Sequence, residues 1–239
     1  MNREEEEYME IIMKTEKLIK DFGREHVLNG ITVTIYENTF TAVLGHSGSG
    51  KSTLLNILSG LIKPTGGYVW CDDKLISDYN EKQLASWKRA DVGNVFQEYL
   101  LLDNLTVQEN IKIGISPDKP SLSFDRLVRI LHLEELLHKF PAELSGGEQQ
   151  RTSIARAVIK SPRLLFCDEA TGSLDEENSK NVVELLHNLK SDFGITILFT
   201  THNPQIAKTA DRIITMKNGT IISDILNDNP ISARSMVWG

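Results

Sequence analysis

Long hydrophobic runs are missing from this chain of 239 residues. Its most apolar stretches, such as 195–199, are strand-length, far short of the roughly 18–20 residues that cross a bilayer as a helix. Cysteine is scarce as well. Cys71 and Cys167 are the whole complement, and both sit in apolar surroundings far apart in sequence. They are expected to be reduced core thiols of a cytosolic protein rather than a disulfide. Positive charge is in deficit, with 26 Lys+Arg against 33 Asp+Glu, a net −7. That balance argues against a general affinity for nucleic acid or anionic membrane, so no nucleic-acid partner is expected. The start, Met1-Asn2-Arg3 followed by Glu4 to Glu7, lacks the basic opening and apolar stretch of a secretory signal. Residues 1–9 are expected to form a solvated acidic tail. With 40% hydrophobic and 25% charged residues, disordered, collagenous and disulfide-scaffold classes are excluded. The length suits one large domain with room for an inserted lobe.

Hydrophobic periodicity divides the chain in three. Residues 10–22 roughly alternate, as in a half-buried strand, and 31–35 and 40–44 read as two more strands. Leu54, Leu55, Leu58 and Leu61 then recur at helical spacing until Lys63-Pro64-Thr65-Gly66-Gly67 breaks the pattern. The middle third, about 88–160, reads as a mostly helical lobe without a convincing strand. Its clearest local signal is the Thr106/Glu109 capping box. Beyond it, 164–167 and 195–200 are short, almost wholly apolar runs, as expected of strands buried on both faces of a parallel sheet. Residues 176–190 supply the crossover helix. The segments 212–216 and 220–222 flank Asn218-Gly219, a type I′ hairpin signal. From Asn227 onward there is little pattern.

Gly45-His46-Ser47-Gly48-Ser49-Gly50-Lys51-Ser52 fits G-x-x-x-x-G-K-[ST] in full. It lies where its mechanism requires, between the apolar strand 40–44 and a helix that continues through Thr53. Glycines let successive backbone N–H groups curl toward phosphate oxygens, and the helix N-terminus adds partial positive charge. Lys51 is expected to bridge β- and γ-phosphates, and the Ser52 hydroxyl to ligate Mg²⁺. A second acidic signal follows: Leu164-Leu165-Phe166-Cys167 ends in Asp168 and Glu169. Beside a phosphate loop, Asp168 suits a metal ion and Glu169 suits activation of a water. Standing alone, the same acids would equally begin a polar loop or cap a helix. A third segment, Leu144-Ser145-Gly146-Gly147-Glu148-Gln149-Gln150-Arg151, sets two glycines at a capped helix start. It reads either as a second anion-binding nest or as an ordinary helix N-terminus.

In this order, over about residues 10–225, the segments resemble the ATP-binding cassette (ABC) family. Residues 144–151 are similar to its signature motif and 164–169 to its acidic Walker B strand. Gln97, in Val95-Phe96-Gln97, matches the Q-loop glutamine. Ser173-Leu174-Asp175 matches the D-loop, and His202, after Thr200-Thr201, the switch histidine. The resemblance implies an α/β P-loop NTPase (RecA-like) fold. Its mostly parallel sheet core would carry an N-terminal antiparallel β subdomain and an inserted helical lobe. The core is expected over 10–87 and 161–225, with 226–239 as a C-terminal tail.

The resemblance also implies a nucleotide-dependent, head-to-tail homodimer around two Mg²⁺-ATP. Residues Gly45 to Thr53 would hold the phosphates. Ser145, Gly146, Gly147 and Glu148 of the other copy would close over the γ-phosphate, with Asp175 beside them. Ser52, Asp168 and Gln97 would hold Mg²⁺, Gln97 also coupling that site to the lobe. Glu169 would activate water and His202 would contact the γ-phosphate. Phe22 aligns with the aromatic that stacks on adenine, a core aromatic being the other reading. Within the family the motifs are most similar to the branch that serves lipoprotein release, macrolide export and antimicrobial-peptide resistance. Ala170, Ser173 and Asn38-Thr39 depart from that branch's usual residues.

The function so implied is the energy-coupling ATPase of a membrane transporter, peripheral on the inner face of the membrane. Separate membrane-spanning permease subunits would be its partners. Leu100, Leu101 and Leu102 form an apolar cluster that reads either as the socket for those subunits or as packing of the lobe core. A non-transport ABC ATPase, of cell-division, mechanical-transmission or soluble assembly type, is the alternative. A P-loop kinase would leave 144–151 and His202 without a role.

Overall fold

A computed structural model describes residues 10–237. The expected acidic tail, 1–9, lies outside the described residues. Two sheets make up the core. The first is antiparallel, in the order β2-β1-β4-β5, from β1 (Ile11–Phe22), β2 (Glu25–Tyr36), β4 (Gly66–Cys71) and β5 (Lys74–Leu75). The second has six strands in the order β10-β9-β3-β8-β7-β6. It joins β3 (Phe40–Leu44), β6 (Val92–Phe96), β7 (Leu164–Asp168), β8 (Thr196–Thr201), β9 (Arg212–Lys217) and β10 (Thr220–Leu226). All neighbouring pairs in it are parallel except β9–β10.

The two faces of this sheet explain its apolar strands. Alternate residues point to opposite sides. Phe40, Ala42, Leu165, Cys167, Ile197 and Phe199 enter one core together with the helices α5 (Gly146–Val158) and α6 (Glu176–Phe193). Val43, Leu164, Phe166 and Leu198 enter the other, shared with α1 (Lys51–Leu58) and the antiparallel sheet. Both faces are therefore covered, as parallel sheets require. Cys71 and Cys167 are free and buried, and burial pushes the Cys71 thiol up to about 11. The hairpin signal is met: Asn218 and Gly219 have φ of 49° and 73°, as a type I′ turn demands.

Three features differ from the sequence expectations. Residues 92–96, expected to belong to a helical stretch, form β6, which pairs with β7. Gly93 and Asn94 disguise this strand, because both residue types are depleted in strands. Gly93 is required there, since a Cβ would stand 2.8 Å from the Ala157 carbonyl oxygen and from Leu165 Cδ1. The short strands β4 and β5 follow the break at 63–67, where no strand is expected. The segment after Asn227 packs against α6: Ala233 and Met236 are buried, and Arg234 pairs with Glu177 and Glu184.

The lobe contains α2 (Glu81–Asp91) at its approach, then α3 (Val107–Lys112), α4 (Phe124–Ile130) and α5. Residues 134–136 and 141–143 are single 3₁₀ turns. The Thr106/Glu109 capping box forms as the sequence indicates.

Candidate nucleotide-binding site

The carboxyl ends of β3, β6, β7 and β8 converge; polar residues follow β6, β7 and β8, and the glycine loop follows β3. Register brings this about. Phe96 pairs with Asp168, Asp168 with Thr200, and Leu44 with Thr201, so Gln97, Glu169, His202 and Gly45 leave the same edge of the sheet. Ligand crevices of open parallel sheets lie at such an edge.

From β3 the chain enters the loop 45–50 and then α1. A Cβ at Gly45 would lie 2.6 Å from the Met216 carbonyl oxygen and from Ser49 Oγ, so only glycine fits the start of the loop. Gly50, the residue before α1, has φ 98°, a left-handed backbone that glycine adopts without strain. His46, Ser47 and Gly48 are exposed, Ser49 is buried and Thr53 is half-buried on α1. The Lys51 side chain folds back into the loop. It is only 4% exposed, and its ammonium donates to the His46 carbonyl at 3.1 Å. Glu169 Oε1 lies 3.3 Å from it, giving this buried charge the partner that burial demands.

Ser52 Oγ donates to Asp168 Oδ1 at 2.9 Å, and buried Thr200 donates to the same oxygen at 2.7 Å. Thr200 Oγ1 also accepts the Glu169 N–H at 2.9 Å. That contact holds Glu169 at φ 45°, a left-handed conformation costly for a residue with a side chain. Glu169 Oε2 is 3.5 Å from His202 Nδ1. Two hollows share Glu169. One is lined by Ser52, Gln97, Asp168 and Glu169, the other by Glu169, Gly172, Thr201 and His202. Ser52, Lys51, Gln97, Asp168, Glu169 and His202 are thus gathered as expected.

The second glycine segment has other neighbours. Ser145 caps α5, its N–H and hydroxyl donating to Glu148 Oε2 at 2.7 and 2.8 Å. Burial pushes the Glu148 carboxyl up, but these hydrogen bonds outweigh it and hold the group below its ordinary value. Gly146 adjoins Tyr99 and Leu174, and Gly147 adjoins Asn178 so closely that a Cβ would be 2.3 Å from its Oδ1. Asp175 caps α6, both carboxylate oxygens accepting from Asn178 at 2.8 Å. The Asn178 N–H is the main cause of its lowered pKa.

Phe22 is 51% exposed at the end of β1, with the Lys20 ammonium 4.8 Å from its ring centre. The core-aromatic reading does not hold. The β1–β2 hairpin that carries it reaches the phosphate loop, where the Val27 carbonyl oxygen would be 3.1 Å from a Cβ at Gly50. Leu100 and Leu102 are 51% and 46% exposed, so these two do not pack the lobe core. Sequence reasoning missed Thr200 and Arg156. A hydroxyl at the end of an apolar strand was the available signal for the first. Arg156, whose guanidinium donates to the Tyr99 and Leu100 carbonyls at 2.9 and 2.6 Å, gave none.

Comparison with known proteins agrees with this architecture. The family model described as ABC transporter matches residues 28–172. A putative ABC transporter ATP-binding protein, the MG065 homolog of Mycoplasma pneumoniae, is 41% identical over 216 residues, covering 89% of this chain and 46% of that protein. The chain thus spans about half the length of that relative. The bacitracin export ATP-binding protein BceA of Halalkalibacterium halodurans is 35% identical, over 90% of this chain and 88% of that one. Among solved structures, the dimeric bacterial ABC transporter cassette MJ0796 superposes with a TM-score of 0.83 at 32% identity, covering 91% of this chain and all of that one. A dimer of the same cassette in a post-hydrolysis state bound to ADP and Pi gives a TM-score of 0.82 at 31% identity. With its phosphate loop, acidic strand end and capped glycine segment in family order, the chain belongs to the ABC transporter family as an ATPase cassette of the α/β P-loop fold.

Proposed function

We propose that this cassette, a single domain over about residues 10–225 with its helical lobe inserted after β6, binds two Mg²⁺-ATP between two copies arranged head to tail. Hydrolysis would drive separate membrane-spanning permease subunits from the inner face of the membrane. The observation that carries the reading is Glu169, held between the Lys51 ammonium at 3.3 Å and the His202 imidazole at 3.5 Å. A carboxylate so placed can take a proton from a water attacking phosphorus. Lys51 bridges the phosphates when they enter, trading Glu169 for a stronger anionic partner. His202 donates to the γ-phosphate, and Phe22 stacks on the adenine.

Ser52 and Asp168 are hard oxygen donors already within hydrogen-bonding distance, with Gln97 lining the same hollow. Such a sparse set fits Mg²⁺, which keeps waters and phosphate oxygens as its remaining ligands. The ion supplies neutralisation of charge on the β- and γ-phosphates. Ser145, which caps α5 through Glu148, and Gly146 and Gly147, packed on one side against Tyr99, Leu174 and Asn178 of their own chain, serve the nucleotide of the other copy, where donors on both sides of the anion exclude water.

Leu100 and Leu102, with Ile113 and Ile115 of the lobe, are large exposed apolar residues and suit a permease contact. Among the described residues no helix is long and apolar enough to cross a membrane. The names of relatives, the macrolide export ATP-binding/permease proteins MacB of Bdellovibrio bacteriovorus and Marinobacter nauticus and bacitracin export BceA, support export of a peptide or drug-like compound, and the motif resemblance adds a lipoprotein. Isolation of tagged Glu169→Gln protein with ATP from gently solubilised native membranes tests the reading. A stoichiometric multi-spanning protein is expected. Recovery with soluble proteins alone would move the function to a non-transport ABC ATPase.

A further inference from the structure

We propose that the Tyr99 hydroxyl is a latch that positions the two halves of the nucleotide machinery against one another within a single chain. One half is the residue that faces the chain's own nucleotide, Gln97. The other is the glycine face at 145–147, offered to the second copy. The Tyr99 hydroxyl touches both sides. It hydrogen-bonds Ser173 Oγ at 2.8 Å, and Ser173 Oγ donates in turn to the Gln97 carbonyl at 3.3 Å. It also lies where a Cβ on Gly146 would stand only 3.0 Å away. Gly172 closes the group from below, since a Cβ there would meet Gln97 Cδ at 3.0 Å.

The backbone is set for this contact at some cost. Tyr99 and Leu100 both have left-handed φ, 58° and 50°, which two consecutive non-glycine residues adopt only where the surroundings impose it. Arg156 of α5 imposes it, gripping the carbonyls of both residues. The guanidinium in the last turn of α5 and the phenol at its first residue therefore hold the 97–100 loop to both ends of that helix, and the phenol holds it to the turn after β7. A shift of Gln97 toward bound nucleotide displaces Gly146 and Ser173 with it. Half-buried Tyr99 touches no predicted phosphate or metal position, so it acts through these residues and is a positioning group.

The latch rests on the two-copy reading above, and the test separates them. Tyr99→Phe, Ser173→Ala and their combination are made in the wild type and in the Glu169→Gln background. Measurements are kcat, ATP affinity of the monomer, thermal stability and ATP-driven dimerisation. Loss of one neutral hydrogen bond predicts a roughly five- to tenfold fall in kcat and in dimer affinity. Monomer ATP affinity should stay at the wild-type value, and the melting temperature should fall by no more than the few degrees that one hydrogen bond is worth. The double variant should be no worse than Ser173→Ala alone, which already removes both hydrogen bonds of that hydroxyl, and Ser173→Thr, which keeps a hydroxyl, should retain activity. Normal kcat and dimerisation in Tyr99→Phe would overturn the latch, as would additive losses or an equal fall in monomer affinity. If Glu169→Gln alone stays monomeric with ATP, the two-copy reading falls first and the latch with it.

Discussion

The carboxyl edge of the six-stranded sheet and the helical lobe hold their functional residues by different means. At the sheet edge each residue follows a buried strand in fixed register, and Asp168 and Glu169 share a fully buried threonine hydroxyl. In the lobe the helices are short, six residues in α3 and seven in α4, below the length that helices sustain without tertiary support. Capping boxes, Arg156 and the buried amide of Asn110 do the holding instead. That amide accepts from the Leu102 N–H and donates to the carbonyls of Leu102, Leu105 and Thr106. The difference teaches that the chemistry is built on a rigid platform, whereas the surface proposed to face a second copy hangs on a few polar contacts that a ligand can rearrange.

Four changes break or sharpen this contrast. The largest effect is expected at the sheet edge: Glu169→Gln should lower ATP turnover about 10²–10⁴-fold while leaving ATP binding intact, read by steady-state ATPase and titration. It should also lower the melting temperature of the nucleotide-free protein, because buried Lys51 loses its carboxylate partner. Lys51→Ala should weaken ATP binding on the order of 100-fold through lost charge-assisted contacts, measured by calorimetry. In the lobe the cost should fall on stability. Asn110→Ala leaves buried carbonyls unpaired and should destabilise by about 2–3 kcal/mol, with faster amide exchange across 102–112; an unchanged exchange pattern would contradict the brace. The smallest effect, taken per unit of pH, is at His187. Burial, reinforced by the Lys190 charge, lowers the His187 imidazole to about 4, its ring stacked on Phe40 at 4.4 Å. The folded state then binds fewer protons than the unfolded one between pH 6.5 and 4. Stability should therefore drop across that window by roughly 1 kcal/mol per pH unit, a slope that His187→Asn should flatten.

The same contrast explains what the sequence makes legible. Strands β3, β7 and β8 are apolar runs with polar ends, so their positions and those of Lys51, Asp168 and Glu169 follow from pattern alone. Strand β6 hides because its packing against Ala157 needs Gly93, a residue that reads as a break. The order of the strands comes from crossovers that no local pattern encodes. Tyr99 and Arg156 are invisible for a related reason. Their partners lie 74 and 56–57 residues away in sequence, and nothing near either residue announces a left-handed turn. The packing of Ala233 and Met236 against α6 likewise depends on a meeting of distant segments.

The central claim is that two copies complete each other's sites. The most direct measurement is the solution mass of Glu169→Gln by light scattering with ATP and with ADP, beside the same protein carrying Ser145→Arg. The account predicts the mass of two chains with ATP, of one chain with ADP, and of one chain with ATP once Ser145 is replaced, ATP binding being retained throughout. A single-chain mass for Glu169→Gln at saturating ATP, or a dimer indifferent to Ser145→Arg, would contradict it.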